Sequence, residues 1–365
     1  MAQPKVQPVQ HSTDHHVSNK KEPLGKRIYN TLNERFGLDS LAYEVPAHAN
    51  TLPYTLGGIT AVSTIIAVVS GILLANWYTP TPELANFSIR NITENVYLGY
   101  VIRGVHSWSA QIALVALVLH LLRVFVYGSY KRPREGNWFI GVFLFLTMIG
   151  LFFTGTIAKW DQEGNEALEH AQAIAGKFGL AGYFSTENVD VITRFFIAHV
   201  SILPLILFVL LFIHILLIKK LKISPLPWKQ HEGEAAYKNT GHNFAAHFKS
   251  LLGYGYIVLG VSILLAIFFS PKVGPEPLAG IEVTKPLWPF LWIYTVEEWW
   301  GIPGATWVSL LLVLGMFAVP FIDRGKDMSL KKRAWFIIIV LLLAVALLLM
   351  TIYAYNSSPV VHLDM

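Results

Sequence analysis

Four histidines carry the chemistry this sequence can support. His106 and His120 stand 14 residues apart in the apolar stretch IRGVHSWSAQIALVALVLHLLRVF. His199 and His214 stand 15 apart in TRFFIAHVSILPLILFVLLFIHILLIKK. At about 100° per residue, a helix returns to within roughly 40° of its starting face after 14 residues, and to within roughly 60° after 15. Each pair therefore lines one face of its helix, its members about 21–23 Å apart along the axis. Two such helices side by side present four imidazoles at two heights. That arrangement suits two haems, each held by one histidine from each helix. Iron with both axial positions filled carries electrons and does not bind oxygen.

A single histidine in an apolar helix is more often a packing residue than a ligand. Ionisable groups at membrane depth are costly, however, and four of them in register on two helices point to function. Arg103 stands one turn before His106, and Arg123 one turn after His120. Arginine pairs bidentately with carboxylates such as haem propionates. Snorkelling to the membrane surface would place both residues equally well. Gly57, Gly58 and Gly71 lie in the preceding apolar stretch. Such glycines let another helix approach closely, or leave room for a flat macrocycle.

The positioning elements follow from hydropathy. The chain has 365 residues, 54% of them hydrophobic, and a mean hydropathy of +0.49. Several apolar runs reach the roughly 20 residues that cross a bilayer. The pattern predicts spans at 56–77, 97–127, 137–158, 191–221, 251–269, 304–322 and 334–355. The fold class is all-α integral membrane: a four-helix dihaem-binding bundle plus three further transmembrane helices, seven spans in all. Residues 1–30 read as a flexible polar tail, in which His11, His15 and His16 are solvated. A surface helix over 27–41 stops before Pro46. The dihaem domain covers 31–221, a linker 222–250, and the three-helix domain 251–365.

The net charge of +5 does not call for nucleic acid, because the basic residues sit in short loops. Lys131, Arg132 and Arg134, the lysines of the linker, and Arg324 to Arg333 fall on one side with the N-terminal tail. The positive-inside rule makes that side cytoplasmic. This predicts a multi-pass protein of a prokaryotic cytoplasmic membrane with a cytoplasmic N-terminus. No cleavable signal peptide is expected, since the first ~50 residues lack an apolar core. With no cysteine, the chain cannot hold a cysteine-ligated iron–sulfur cluster or attach haem through Cys-x-x-Cys-His.

After residue 30 the chain resembles the cytochrome b family of quinol-oxidising bc-type and b6f-type complexes. The resemblance rests on LGGIT at 56–60, IRGVHSWSA at 102–110, HLLRVF at 120–125, KRPRE at 131–135, KWDQ at 159–162, TRFF at 193–196, and His199 with His214. The 15-residue spacing resembles the b6 type. GHN at 241–243 and VPFID at 319–323 resemble subunit IV, here fused to the b6-like half. The resemblance implies a subunit of a quinol:electron-acceptor oxidoreductase. His106 and His199 would hold an outer haem b, and His120 and His214 an inner one. Quinol would be oxidised near the outer face, with a Rieske iron–sulfur protein, a c-type cytochrome and a dimeric complex as partners.

The sequence also departs from the family. Where a PEWY-like motif supplies a carboxylate that takes a proton from quinol, this chain has Pro286-Leu287-Trp288-Pro289. Glu297 and Glu298 follow within Val296-Glu297-Glu298-Trp299-Trp300 and are the candidate substitutes. A carboxylate beside an apolar quinone pocket gains the raised pKa that a general base needs. Solvated loop acids are the competing reading. Thr55 stands where b6-type proteins carry the cysteine of an extra haem, and Lys159 replaces the family's proline before tryptophan. Lys219, Lys220 and His242 are candidates for proton relay or quinone binding at the inner site, against plain solvation of the lysines. The lost motif carboxylate keeps a second function open: a non-bifurcating haem b anchor that links the quinone pool to an extracytoplasmic multihaem or iron–sulfur subunit.

Overall fold

The computed structural model describes residues 22–37, 44–184, 189–231, 244–278 and 280–361. Seven helices are long and apolar enough to cross a membrane. An amphipathic helix, α1 (Leu24–Phe36), forms a unit of its own and ends on Gly37 in the left-handed region. It begins at Leu24, inside the expected 1–30 tail, and residues 38–41 of the expected 27–41 helix lie outside the described residues.

The first four spans are α2 (Leu52–Ala75), α4 (Gly99–Val126), α5 (Glu135–Ala158) and α7 (Val191–Leu221). The last three are α8 (Phe244–Phe268), α9 (Leu291–Ile322) and α10 (Ala334–Asn356). Two further helices lie in connections that hydropathy leaves blank, α3 (Ala85–Glu94) and α6 (Gln162–Lys177). Asp161 caps α6, its side chain accepting from the Gly164 amide at 3.0 Å. Such a cap satisfies one of the orphan donors of the first turn.

Two boundaries differ from the sequence reading. Helix α8 begins at Phe244, inside the predicted 222–250 linker. Helix α9 begins at Leu291 and not near 304, running through Gly301 as a kink (φ 66°, ψ −176°). Pro303 and Gly301 read as a helix start, whereas the chain turns at Gly301 and resumes the helix. Glu297 and Glu298 are therefore helical and not loop residues.

Helix α2 packs along α4, α5 along α7, and α8 against both α2 and α4. Between the two histidine levels sits an apolar cluster of Ala113, Leu114, Leu117, Met148 and Leu207. On the outside of the bundle, residues such as Phe212 and Leu205 are exposed, as lipid-facing side chains must be.

Two tethers join the three later spans to the first four. At the His120 end, the Asp323 carboxylate accepts from Lys131 Nζ (2.7 Å), Arg333 Nε (2.6 Å) and the Tyr130 hydroxyl. Arg333 also donates to the carbonyls of Phe125 and Val126. Gly128, at φ +66°, lies under that guanidinium, where a Cβ would come within 2.9 Å of Nη1. At the His106 end, the segment between α8 and α9 is held by Arg90 to the Gly274 carbonyl (2.6 Å), by Gln162 to the Ile281 carbonyl (2.6 Å), and by Glu166 to the amides of Val283 and Thr284.

Candidate functional site: four imidazoles inside a four-helix bundle

Helices α4 and α7 bring the histidines together in the order expected from their spacing. The His106 and His199 rings face each other with centroids 6.1 Å apart and planes at 76°. His120 and His214 are electrostatic neighbours at the other level. The unequal spacings, 14 and 15 residues, are reconciled by a π turn over Ala198–Ile202 in α7. A π turn takes up one residue more than a regular turn. Pro204 follows directly and has no N–H to close the ordinary α-helical bond.

Each imidazole lies against a glycine on a neighbouring helix. On α2, a Cβ at Gly71 would stand 2.9 Å from His106 Cε1, and one at Gly57 would stand 2.9 Å from His120 Cε1. On α5, a Cβ at Gly155 would stand 2.8 Å from His199 Cε1, and one at Gly141 would stand 3.8 Å from His214 Cε1. Real Cβ contacts are essentially never shorter than 3.0 Å, so three of these glycines create the space the rings occupy. Gly58 does not belong to this set. One residue on from Gly57, it is rotated by about 100° and faces Leu251 of α8, where a Cβ would meet Cδ2 at 2.3 Å. It is a helix-packing glycine.

The protein fixes the tautomer of the His106 pair. Nδ1 of His106 is 2.7 Å from the Ala67 carbonyl, which can only accept. Nδ1 therefore carries the proton and Nε2 keeps its lone pair. Nδ1 of His199 is 3.1 Å from Thr154 Oγ1, and that hydroxyl donates to the Gly150 carbonyl at 2.8 Å. It thus accepts from the ring, and His199 also presents a bare Nε2. Two imidazoles with centroids 6.1 Å apart, each with Nδ1 hydrogen-bonded and Nε2 bare, would form a donor set for one metal centre. The residues fit an axially bis-histidine haem.

The two arginines are engaged with backbone. Arg103 donates to the carbonyls of Pro271 (2.5 Å) and Lys272 (3.1 Å), just beyond the end of α8. Arg123 donates to the Pro53 carbonyl at 2.9 Å, lies over the Tyr54 ring at 4.5 Å, and has Nη2 3.4 Å from His120 Nδ1. Both remain one turn from their histidines.

The two glutamates part company. Glu297 is buried, its carboxylate 3.3 Å from His170 Nε2; the buried Glu282 carboxylate stands 3.4 Å from the same nitrogen. His170 Nδ1 donates to the Glu166 carbonyl at 2.8 Å. With acceptors at both nitrogens, His170 is a charged imidazolium. Burial opposes that charge, but the hydrogen bonds to Glu282 and Glu297 outweigh it and raise the pKa to about 10. Glu298 turns the other way and accepts from Tyr353 on α10 at 2.9 Å.

Leu287 is half-buried before the short 3-10 turn Trp288–Phe290. Lys159 bridges Asp161 (3.3 Å) and Glu163 (2.5 Å). Thr55 is fully buried and donates to the Leu52 carbonyl. Lys219 and Lys220 are exposed, and His242 lies outside the described residues. Gly141, Gly155, Thr154 and His170 are absent from the sequence reading, and Glu282 enters it only as one of several loop acids. The two glycines did leave a signal: they stand 14 residues apart, as Gly57 and Gly71 do.

Known proteins resemble this chain in sequence and in fold. A family model described as cytochrome b/b6/petB matches residues 41–222. The menaquinol:cytochrome c reductase cytochrome b subunit of Bacillus subtilis is 37% identical, the match covering 54% of this chain and 97% of that protein. A cytochrome b6 of Heliobacterium mobile is 35% identical over 51% of this chain and 91% of its own length. A solved chain of a hyperthermophilic respiratory Complex III has the same fold at a TM-score of 0.75 and 22% identity, covering 90% of this chain and 91% of its own.

Proposed function

Since this chain belongs to the cytochrome b/b6 family, whose members bind haem b, we propose that it is the dihaem subunit of a quinol-oxidising membrane complex. In this reading His106 and His199 hold one haem b and His120 and His214 the other. Bound there, haem supplies one-electron transfer. The protein's own contribution is to leave Nε2 bare at the His106–His199 level, to keep the rings in glycine-lined space, and to separate the two levels with apolar side chains. The observation that carries the proposal is the facing His106–His199 pair with both Nδ1 atoms tied to acceptors. The positive-inside pattern puts the His106 end on the extracytoplasmic side. Quinol oxidation there would pass electrons on to a Rieske protein or a c-type cytochrome, within a dimeric complex that translocates protons.

Glu297 is the better supported proton acceptor of the two glutamates. It is buried, it lies at the His106 end of the molecule, and His170 links it to Glu282. A proton reaching Glu297 would pass on as His170 shifts its Nε2 proton to Glu282. Leu287, in place of the motif carboxylate, is the observation that favours the second reading, a haem b conduit to an extracytoplasmic multihaem or iron–sulfur subunit. Pyridine hemochrome analysis of purified protein, combined with a redox-titrated optical spectrum, tests the assignment. Two equivalents of haem b in two titrating components are expected, and one equivalent or fewer would overturn it. Quinol oxidation measured with and without a Rieske partner separates the two readings.

A further inference from the structure

The end of the molecule away from His106 carries a cavity that electron transfer does not use. It measures about 690 Å³ and opens between the α4–α5 connection, the end of α7 and the α9–α10 connection. Its lining includes Arg132, Arg134, Lys220, Lys222 and Lys326, with His231 beside them. Arg132 is paired with Glu135 at 3.2 Å, and among the described lining residues the five cations face one carboxylate, Asp327. That carboxylate is already turned to Lys332 Nζ at 2.7 Å, and accepts from the Ser329 amide and from Gln230.

Part of the cationic wall is held in place by the backbone. Arg134 is anchored by donating to the carbonyls of Leu221 (3.2 Å) and Lys222 (3.4 Å), which end α7. Lys222 has φ 59° and ψ 165°, a conformation that belongs almost entirely to glycine. A lysine stands where backbone preference asks for glycine, and its side chain lines the cavity. Leu221, Pro225 and Met328 supply apolar wall beside the charges. Leu221 is also the last residue of an apolar span, so the cavity sits at the membrane edge. General solvation of a cytoplasmic face needs neither a shaped cavity nor a strained lysine.

We propose that this cavity binds a phosphate-bearing anion, its phosphate oxygens facing Arg132, Arg134 and Lys326 and its uncharged part lying along Leu221 and Pro225. Guanidinium groups match phosphate oxygens in a bidentate manner. Two sources share that chemistry: the headgroup of an anionic phospholipid, and a soluble phosphate. The membrane-edge position and the apolar wall make the lipid the expected source.

The test uses the full haem-loaded protein, reconstituted from an equimolar mixture of phosphatidylglycerol and phosphatidylcholine, with retained lipid measured by native mass spectrometry. Wild type is expected to retain phosphatidylglycerol preferentially. In Arg132→Gln/Lys326→Gln, that preference is expected to fall about 25-fold, about fivefold for each charge removed, the ratio that corresponds to ~1 kcal/mol per basic residue. An unchanged haem spectrum in the variant shows that the fold is intact. Phosphatidylglycerol enrichment that millimolar pyrophosphate leaves in place assigns the site to lipid. Pyrophosphate binding that is lost in the double variant, without lipid enrichment, assigns it to soluble phosphate. Absence of both in wild type, or equal enrichment in wild type and variant, overturns the proposal.

Discussion

His199 and His214 are 15 residues apart, yet they meet the 14-residue pair on α4 level for level, because the π turn at Ala198–Ile202 absorbs the extra residue. The turn therefore sets the register between the two pairs. Deleting Ser201 inside it leaves a 14-residue spacing on a regular helix, and about two haems per chain should remain. Deleting Val209, beyond the turn, rotates His214 by about 100° against His199, and about one haem should be lost. Pyridine hemochrome assay of both variants decides; equal haem loss would remove the π turn from the argument.

The glycine contacts predict an asymmetry between two substitutions of the same kind. Gly155→Ala places a methyl 2.8 Å from the His199 ring, whereas Gly141→Ala places one 3.8 Å from His214, an ordinary contact distance. The first should abolish one of the two redox components while leaving the other. The second should leave both, with midpoint potentials shifted slightly at most. A redox titration followed at the haem α band reads the difference.

Quinol oxidation should depend on Glu297 and not on Glu298. Glu297→Gln keeps the shape but removes the proton acceptor, and a positioned general base is typically worth about 10²–10⁴ in rate. Glu298→Gln alters a contact to Tyr353 on the far side of the helix and should leave turnover within about twofold, below anything a positioned base supplies. Steady-state assays with a soluble quinol analogue check both, and unchanged turnover in Glu297→Gln would end its candidacy.

His170 makes the packing at the His106 end depend on pH. Its folded-state pKa of about 10 lies above the ordinary histidine value, so the stabilisation is complete below about pH 6.5. It is lost as pH rises through about 10. Thermal unfolding monitored between pH 6.5 and 10 should show a declining midpoint in wild type and a flatter profile in His170→Gln. Parallel profiles would show that the imidazolium is not what holds the segment between α8 and α9.

Asp323 ties the later spans to the first four, and burial would raise its pKa. The bonds from Arg333, Lys131 and Tyr130 win, and hold it below the usual carboxylate range. Removing one member of a buried ion pair costs about 3–5 kcal/mol. Asp323→Ala should accordingly lower the unfolding midpoint and expose the connection around residue 230 to limited proteolysis. Digestion at the wild-type rate would contradict that role.

The spans were legible because each is a long apolar run, and the histidine pairing was legible because its period matches the helix. Helices α3 and α6 were not, since both mix polar and apolar residues and take their hydrophobic partners from elsewhere in the chain. The start of α9 was misplaced for a physical reason: Gly301 and Pro303 disfavour a straight helix, but a left-handed glycine lets the chain kink and continue. Adjacent glycines 57 and 58 could not be told apart without knowing which helix lies on each side. The cluster of His170, Glu282 and Glu297 brings α6 against a distant stretch of chain that enters α9, and no local pattern announces it.

The layer of Ala113, Leu114, Leu117, Met148 and Leu207 has a bearing on energy conservation. Those five side chains carry no hydroxyl, amide or acid on which a file of water could form, and the neighbouring hydroxyls of Ser109 and Thr147 are turned to carbonyls of their own helices. Charge can still tunnel across a few ångströms of hydrocarbon. In the proposed dihaem subunit the layer would act as an insulating septum with a preference for the lighter particle, the property a voltage-building device needs at its waist.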